Sequence, residues 1–232
     1  MTQNDQTILI TGAGRGIGRV IAEYFARNTE YKLFLISRTE EHLLETQRIC
    51  RSAGASHVDI LAIDLIDASQ IAKISIPEEY SHIRALVNNA GQFKTDSPEN
   101  LNIDSIHHQF NHNAVSTAML TQHLLPLLKE QSQSLIVNIA SVASYVGMKN
   151  AVAYTMAKHA LLGYTRSLRE YLKGTNIAVT ALAPSSTWST SWEGSSADPE
   201  TTIHPQDIAI QIEALTRMSP RSVVEEIRIE PR

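Results

Sequence analysis

Three residues of this chain have the types and spacing needed for proton transfer. Tyr154 and Lys158 lie four residues apart, and Ser141 lies thirteen residues before Tyr154. Residues at i and i+4 share a helix face, which would place the Lys158 ammonium beside the Tyr154 phenol. A phenol with a pKa near ~10 is a poor base at neutral pH, but a neighbouring cation lowers that pKa. With Ser141 as a hydrogen-bond donor to a substrate oxygen, the trio predicts acid–base chemistry at a carbonyl or alcohol.

The segment before Ser141 strengthens this interpretation. A Tyr and a Lys four apart are, on most helices, only a packed ring and a solvated amine. Here, however, Ser141 follows an apolar run that begins at Leu135 and is typical of a buried parallel strand. The carboxyl end of such a strand is where an open α/β sheet binds its ligands.

A glycine-rich turn near the start of the chain predicts a dinucleotide site. A β-branched run beginning at Thr7 leads into four glycines, Gly12, Gly14, Gly16 and Gly18. An amphipathic stretch follows, with its apolar side formed by Ile17, Ile21 and Phe25. Glycines let the backbone approach a phosphate closely, and the free N–H groups of the following helix face that anion. A glycine-rich turn between a strand and a helix is typical of dinucleotide binding.

Charges near this loop favour NADP(H) over NAD(H). The second predicted strand ends at Ser37 and is followed by Arg38. An acid at that point would bind the ribose of NAD, whereas an Arg accommodates the additional phosphate of NADP. No acid stands at the strand end, and Arg15 in the glycine-rich loop supplies a second guanidinium. The alternative is that both are ordinary surface arginines.

The pattern of elements predicts one α/β domain over residues 1–232, a doubly wound parallel sheet of the Rossmann type. Predicted strands cover 7–11, 32–37, 57–62, 83–88, 134–140, 177–182 and 223–229. Predicted helices cover 17–28, 39–53, 103–129, 151–172 and 205–216. We expect no second domain in a chain of this length.

Composition excludes several classes of protein. The formal net charge of −4 argues against a nucleic-acid-binding protein, which usually carries a basic face. No apolar run approaches the ~20 residues of a membrane span, and the polar first residues lack a signal-peptide pattern. Cys50 is the only cysteine, so no internal disulfide can form. We therefore expect a cytoplasmic protein with no nucleic-acid or membrane partner.

Two further segments are ambiguous in the sequence. His107, His108 and His112 lie close together, and the last two have a zinc-compatible i, i+4 spacing, but no third ligand completes a site and we predict no metal. Residues 185–204 predict a loop that acts as a short substrate lid. Trp188 and Trp192 in that loop would either cover a substrate or anchor the loop.

Taken together, these motifs identify the chain as resembling the single-domain branch of the short-chain dehydrogenase/reductase family, from Thr7 to about Pro184. The loop Thr11–Gly18 is similar to that branch's Thr-Gly-x-x-x-Gly-x-Gly, and Asn88-Asn89-Ala90-Gly91 is similar to its Asn-Asn-Ala-Gly. The resemblance implies that Ser141, Tyr154, Lys158 and Asn113 are catalytic, with Asn113 holding a relay water. It implies cofactor contacts from Gly12, Arg15, Gly16, Ile17, Gly18, Ser37, Arg38, Asp64, Leu65, Asn89, Ala90, Gly91, Tyr154, Lys158, Pro184, Thr187 and Ser189. Asp64 resembles the residue that binds the adenine amino group, and Asn89 to Gly91 line the ribose side.

The chain departs from the family pattern after the sixth strand. Pro184-Ser185 replaces Pro-Gly, and Thr187 and Ser189 stand where the family has the Val and Thr that contact the nicotinamide amide. The C-terminal segment, 221–232, resembles the ending of sepiapterin-reductase-like and related small carbonyl reductases.

We therefore expect an NADPH-dependent reductase of a small carbonyl substrate. A 3-oxoacyl-[acyl-carrier-protein] reductase is the alternative, although the acidic Glu193, Asp198 and Glu200 of the loop suit an acidic carrier poorly. A non-catalytic dinucleotide sensor on the same fold is a remote alternative, because such a protein would be expected to lose the Tyr or the Lys. A sugar-nucleotide epimerase would need a substrate domain for which 232 residues leave no room. The resemblance also implies a homodimer or homotetramer, formed by the helices at 103–129 and 151–172.

Overall fold

Seven parallel strands form one sheet in the order β3-β2-β1-β4-β5-β6-β7. The computed structural model describes residues 2–189 and 198–232. The strands are β1 Thr7–Thr11, β2 Lys32–Ser37, β3 Val58–Ala62, β4 Ile83–Asn88, β5 Ser134–Ile139, β6 Ile177–Pro184 and β7 Glu226–Ile229. The strand order reverses between β1 and β4, which creates the crevice where ligands bind in open α/β sheets. The predicted doubly wound parallel sheet is confirmed.

Helices cover both faces of this sheet because its strands are apolar on both sides. They are α1 Gly16–Asn28, α2 Glu40–Ala53, α3 Ala68–Ile71, α4 Ile103–Phe110, α5 Ser116–Lys129, α6 Val152–Leu172 and α7 Pro205–Thr216. One buried cluster lies between the sheet and α1, α2 and α7, where Phe25 and Ile212 are fully buried. The second lies on the opposite face under α5 and α6, where Leu120 and Leu172 are buried. The strand ends at the crevice are therefore rigidly supported from two sides.

The single helix predicted at 103–129 is wrong in one respect. A π-helical turn, Asn111–Val115, separates α4 from α5. The Asn113 side chain explains the interruption, because its Nδ2 donates at 3.1 Å to the Gln109 carbonyl that a regular α-helix would pair with the Asn113 N–H. The π-helical turn therefore contains Asn113, the candidate relay residue.

Other boundaries also differ from the prediction. β7 begins at Glu226 rather than at 223, since the Val224 carbonyl accepts a 2.7 Å bond from the Thr180 side chain before the ladder begins. The short α3, capped by Asp67, was not predicted. Four 3-10 helices were also not predicted: Gln3–Asp5, Glu78–Tyr80, Val142–Ser144 and Pro199–Thr201. Within the described ranges, no helix has both the length and the apolar character needed to cross a membrane.

Candidate active site

The turn after β1 forms a cradle with no room for a side chain at Gly12 or Gly18. Gly12 has φ +65°, and a Cβ there would lie 2.9 Å from the Ala90 Cα. A Cβ at Gly18 would lie only 2.3 Å from the Gly12 carbonyl oxygen. Gly16 also has a positive φ, at 58°. The loop can therefore turn at Gly12 and Gly16 and pack against both α1 and the end of β4 only with glycines at these positions.

The first turn of α1 is open to a ligand. Arg15 is the N-cap residue, and its side chain makes no capping hydrogen bond. An uncapped helix start leaves N–H groups and the positive end of the helix dipole available to an anion. Gly16, Ile17 and Gly18 form this turn, as the resemblance implied for a pyrophosphate contact. The cradle and the open helix start together fit a dinucleotide.

Two residues that the sequence reasoning missed fix the shape of the loop. Arg19 donates from Nη2 to the Gly14 carbonyl at 2.6 Å and forms an ion pair with Glu45 at 2.7 Å. Thr46, fully buried on α2, donates to the Ala13 carbonyl at 3.0 Å. An Arg four residues into α1 beside a glycine-rich loop is the signal that could have identified the first of these contacts.

The glycine-rich loop is also joined to the end of β4. The Thr11 hydroxyl accepts hydrogen bonds from the N–H groups of Asn89, at 3.0 Å, and Ala90, at 2.9 Å. Asn89 in turn donates from its side chain to the Thr11 carbonyl at 2.9 Å. The two segments expected to contact the cofactor are therefore one hydrogen-bonded unit.

Arg38 and Asp64 lie together at the ends of β2 and β3. Their side chains are 3.8 Å apart at Nη1 and Oδ2, with Arg38 61% and Asp64 34% exposed. An exposed pair of this kind contributes little binding energy, so Arg38 can exchange its partner for a phosphate. Ser37 lies at the same place, with its hydroxyl 3.1 Å from where a Cβ on Gly14 would be. Arg15 is exposed, and Leu65 is half-buried after Asp64.

Ser141 and Tyr154 are in direct contact. Ser141 directly follows Ala140 at the carboxyl end of β5, and its Oγ accepts a hydrogen bond from the Ala143 N–H at 3.1 Å. Tyr154 lies in the first turn of α6, with its phenol close enough to the Ser141 hydroxyl for that group to act on its pKa. Burial raises the pKa of the Tyr154 phenol, and the Ser141 hydroxyl opposes that increase. The phenol is therefore set as a proton donor rather than a base.

Lys158 is the buried cation of the site, with 5% of its surface exposed. Its ammonium donates to the Ile139 carbonyl at 2.9 Å and lies 5.7 Å from the centre of the Tyr154 ring. Burial lowers the pKa of Lys158 to about 8. The expectation that Lys158 would lower the pKa of Tyr154 is not met in this structure: burial raises that pKa, and the group that opposes the increase is Ser141 rather than Lys158.

Both the nitrogen and the oxygen of the Asn113 side-chain amide make hydrogen bonds. Its Nδ2 donates to the Gln92 carbonyl at 2.8 Å and to the Gln109 Oε1 at 2.8 Å, and its Oδ1 accepts from the Gln92 N–H at 3.1 Å. A Cβ on Gly91 would lie 2.7 Å from that Oδ1, so the close approach requires glycine. The Asn113 side chain thus joins the π-helical turn to the segment that follows β4.

The segment after β6 does not need a glycine for its backbone conformation. Ser185 does not have a positive φ, and its N–H donates to the Ile229 carbonyl at 2.9 Å. Thr187 pairs with Ile203 in an isolated bridge, and its hydroxyl donates to the Ser185 carbonyl at 3.0 Å. Pro184 ends β6 opposite Ile229 of β7, and Ser189 is half-buried. Trp188 is half-buried too, whereas Trp192 and Glu193 lie outside the described residues.

The sequence reasoning also missed the segment from Gln92 to Asp96, which touches two of the candidate catalytic residues. The half-exposed Phe93 ring lies edge-on to Tyr154, with ring centres 5.0 Å apart. The Asp96 carboxylate accepts hydrogen bonds from the first N–H groups of α6. An acid shortly after Asn-Asn-Ala-Gly gave no recognisable signal in the sequence, because its partners lie 56 residues further along the chain.

The clustered histidines form contacts within the protein. His108 Nε2 lies 3.0 Å from the Gln92 Oε1, and His112 Nδ1 lies 2.8 Å from the His108 carbonyl. In the part of the chain that the structure describes, no three His, Cys, Asp or Glu residues are grouped as metal ligands. Cys50 is fully buried, and burial raises the pKa of its thiol to about 12.

Comparison with known proteins places this geometry in a family. The family model of the short chain dehydrogenases matches residues 6–200. A sepiapterin reductase from Chlorobaculum tepidum is 32% identical over 233 residues, covering 97% of this chain and 95% of the relative. The ketoacyl reductase HetN of a Nostoc species is 30% identical and covers 79% of this chain and 64% of its own length.

A solved structure agrees with these relatives. The crystal structure of a metagenomic short-chain oxidoreductase in complex with NADP superimposes with a TM-score of 0.84 at 26% identity, covering 100% of this chain and 99% of the other. Matched in sequence over most of its length and in fold throughout, the chain belongs to the short-chain dehydrogenase/reductase family and is an NAD(P)-dependent oxidoreductase.

Proposed function

We propose that this protein is an NADPH-dependent reductase of a small carbonyl substrate, of the sepiapterin type. The observation that carries the proposal is the contact between Ser141 and Tyr154 beside the buried Lys158. The relative with 32% identity over nearly the full length of both chains supports the choice of a sepiapterin-type substrate.

The cofactor would lie along the ends of β1, β2 and β4. The open first turn of α1 would hold its pyrophosphate, and Asp64 its adenine amino group. Arg15 and Arg38 would bind the additional phosphate of NADP, because guanidinium groups pair well with phosphate and no acid ends β2. NADP in the related metagenomic structure supports this preference. Bound there, the nicotinamide ring supplies the hydride.

Proton transfer would be the task of the protein. The Ser141 hydroxyl would orient the substrate oxygen, and Tyr154 would donate its proton to that oxygen as the carbonyl carbon is reduced. The buried Lys158 ammonium would stabilise the phenolate left behind. Asn113 would hold a water that returns a proton from solvent. Burial opposes both charges, because it raises the pKa of Tyr154 and lowers the pKa of Lys158 to about 8.

Phe93 supports a planar substrate. Its ring is half exposed and meets the Tyr154 ring edge-on, so a flat apolar face lies beside the reacting phenol. A bicyclic aromatic ring system would pack against such a face. The second candidate, 3-oxoacyl reduction, has the HetN relative in its favour. The acidic residues Asp198 and Glu200 of the 185–204 lid stand against it, because a carrier protein is itself acidic.

The test is NADPH and NADH oxidation by the purified protein with sepiapterin, a 3-oxoacyl thioester, a diketone and an aromatic aldehyde. Turnover of sepiapterin with NADPH at a kcat/KM well above that for the thioester would support the proposal. Preference for the thioester would replace it with the second candidate. If NADPH binds and no carbonyl is reduced, the reductase proposal fails.

We also propose that the protein assembles as a homodimer or homotetramer. Exposed apolar side chains along the candidate helices support this: Val115 and Met119 one turn apart, and Met156 and Tyr171 on α6. Light scattering after size-exclusion chromatography, on the wild type and on Met119→Glu, would test it. A cytoplasmic location is proposed on the basis of the single, buried Cys50.

A further inference from the structure

We propose that Asp96 is a positioning residue for Tyr154, acting through the first turn of α6. The N-cap residue of α6, Ala151, has no side chain that could cap the helix. Asp96 takes over that role from outside the helix. Its Oδ1 accepts from the Val152 N–H, and its two carboxylate oxygens lie 3.3 and 3.2 Å from the Ala153 nitrogen. The next residue is Tyr154.

Asp96 is itself fixed on the segment that follows β4. Its own N–H donates to the Asn150 carbonyl at 3.1 Å, so Asp96 contacts the chain on both sides of the helix start. At the other end of the segment, Gln92 exchanges two hydrogen bonds with the Asn113 side chain. Between these anchors, Phe93 lies against the Tyr154 ring. One five-residue segment therefore contacts two of the four candidate catalytic residues directly and caps the helix that carries Tyr154.

The expected effect on catalysis is larger than the effect on stability. Loss of an N-cap lowers the stability of a protein only modestly. Misplacement of a reacting group by about 1 Å, in contrast, can cost on the order of a hundredfold in rate. Tyr154 contacts Ser141, which belongs to a different element, so any freedom at the start of α6 changes the distance between the two hydroxyl groups. Asp96 thus couples the end of β4 to the geometry of proton transfer.

The inference rests on the proposed role of Tyr154 and is tested with four variants of the full chain. Asp96→Ala removes the cap, whereas Asp96→Asn keeps an acceptor oxygen without the charge. Asp67→Ala is the matched control, because Asp67 caps α3 through the Ser69 N–H at 2.8 Å. Tyr154→Phe reports on the proposed function separately. Steady-state kinetics with NADPH and the best carbonyl substrate, and thermal unfolding, are measured for all four.

For Asp96→Ala we expect kcat to fall by about tenfold or more, with KM for NADPH within about twofold of the wild type. Asp96→Asn should recover most of kcat, and Asp67→Ala should lower the unfolding temperature without changing kcat. The inference is overturned if Asp96→Ala retains wild-type kcat, or if Asp96→Asn is as slow as Asp96→Ala. If Tyr154→Phe retains turnover, the proposed function itself fails, which is a different result.

Discussion

Two helices of this molecule begin at the edge of the sheet where the candidate site lies, and they begin in opposite ways. α1 starts after the glycine-rich loop, and its N-cap residue, Arg15, makes no side-chain capping bond. α6 starts with an Asp96 carboxylate bound to its first N–H groups. One helix start is open to an anion from outside, and the other is already occupied by an anionic side chain of the protein.

The open start of α1 would bind the cofactor, whereas the capped start of α6 would position the proton donor. An open helix start next to glycines attracts a phosphate, since free N–H groups and the helix dipole both favour negative charge. A capped start binds no phosphate but holds its first turn in place, and here that turn carries Tyr154. The same element of secondary structure thus serves a cofactor in one case and a proton donor in the other.

The largest effect is expected for Tyr154→Phe, which should abolish turnover and leave NADPH binding nearly unchanged. Tyr154→Phe deletes the phenolic hydroxyl that would donate the proton, so turnover should be lost. Cofactor affinity should stay nearly intact, because the proposed pyrophosphate site is formed by the glycine-rich loop and the start of α1, not by α6. Kinetics together with NADPH titration by intrinsic fluorescence would check both. Retained turnover would remove Tyr154 from the mechanism.

A side chain added at the open helix start should obstruct the cofactor site. A Cβ on Gly18 would clash with the Gly12 carbonyl at 2.3 Å and with Asn89 Nδ2 at 2.5 Å, both of which are held in the hydrogen-bonded loop. Gly18→Ala should therefore weaken NADPH binding by at least about tenfold and lower the unfolding temperature. Gly163→Ala on α6, with no atom within 4 Å of the added Cβ, is the control. Equal NADPH affinity in both variants would contradict the account.

Replacing Arg15 with an acid would give α1 a carboxylate cap like the one that Asp96 gives α6. Arg15→Asp places a carboxylate at the N-cap of α1, where it satisfies N–H groups and repels phosphate. NADPH affinity should fall by about tenfold or more, while the unfolding temperature should be unchanged or higher. Isothermal titration calorimetry and thermal unfolding measure the two quantities. An unchanged dissociation constant would show that this helix start is not part of the cofactor site.

The fourth prediction concerns the buried charge on α6. The pKa of Lys158 is about 8 in the folded protein, compared with its ordinary 10.5. Between these values the unfolded chain binds more protons than the folded one, so this residue's contribution to the free energy of unfolding rises with pH. Relative to Lys158→Met, the wild type should gain up to roughly 3 kcal/mol from pH 8 to 10.5.

Urea unfolding at several pH values would measure this difference. Lys173→Met is the control, because the Lys173 side chain is 78% exposed. A flat difference between wild type and Lys158→Met would mean that Lys158 keeps an ordinary pKa in the folded protein.

The smallest effect is expected after β6. Ser185 does not have a positive φ, so the glycine of the family pattern is not needed for this backbone. Ser185→Gly should leave the KM for NADPH within about twofold of the wild type, and any loss of stability should come only from the greater freedom of the unfolded chain. A large gain in NADPH affinity would show instead that the serine impairs the site.

Local signals in the sequence were sufficient to predict the sheet, and they selected residues that the structure brings close together at one edge of it. The apolar run before Ser141 and the glycines after Thr11 each lie within one short stretch of the chain, so a local pattern is enough to recognise them. The family membership is confirmed by the comparisons. The roles assigned to Ser141, Tyr154, Lys158 and Asn113 stay predictions for the experiments above.

What the sequence did not show depends on contacts between distant residues. The π-helical turn forms because the Asn113 side chain takes a carbonyl from the backbone, a choice stabilised by Gln92 on another segment. The cap of α6 comes from Asp96, and the glycine-rich loop is held by Thr46 of the next helix. The raised pKa of Tyr154 likewise follows from burial, which only the folded arrangement determines.

The most direct test of the account measures NADPH binding and carbonyl turnover side by side in Tyr154→Phe and Arg15→Asp. Turnover is followed at NADPH concentrations above the dissociation constant of each variant. We expect Tyr154→Phe to bind NADPH normally and to reduce no carbonyl substrate. We expect Arg15→Asp to bind NADPH weakly and still to reduce the carbonyl substrate once it is saturated with NADPH. If Tyr154→Phe retains turnover, Tyr154 is not the proton donor at the start of α6. If Arg15→Asp binds NADPH normally, the start of α1 does not bind the cofactor. Either result contradicts the proposed roles of the two helix starts.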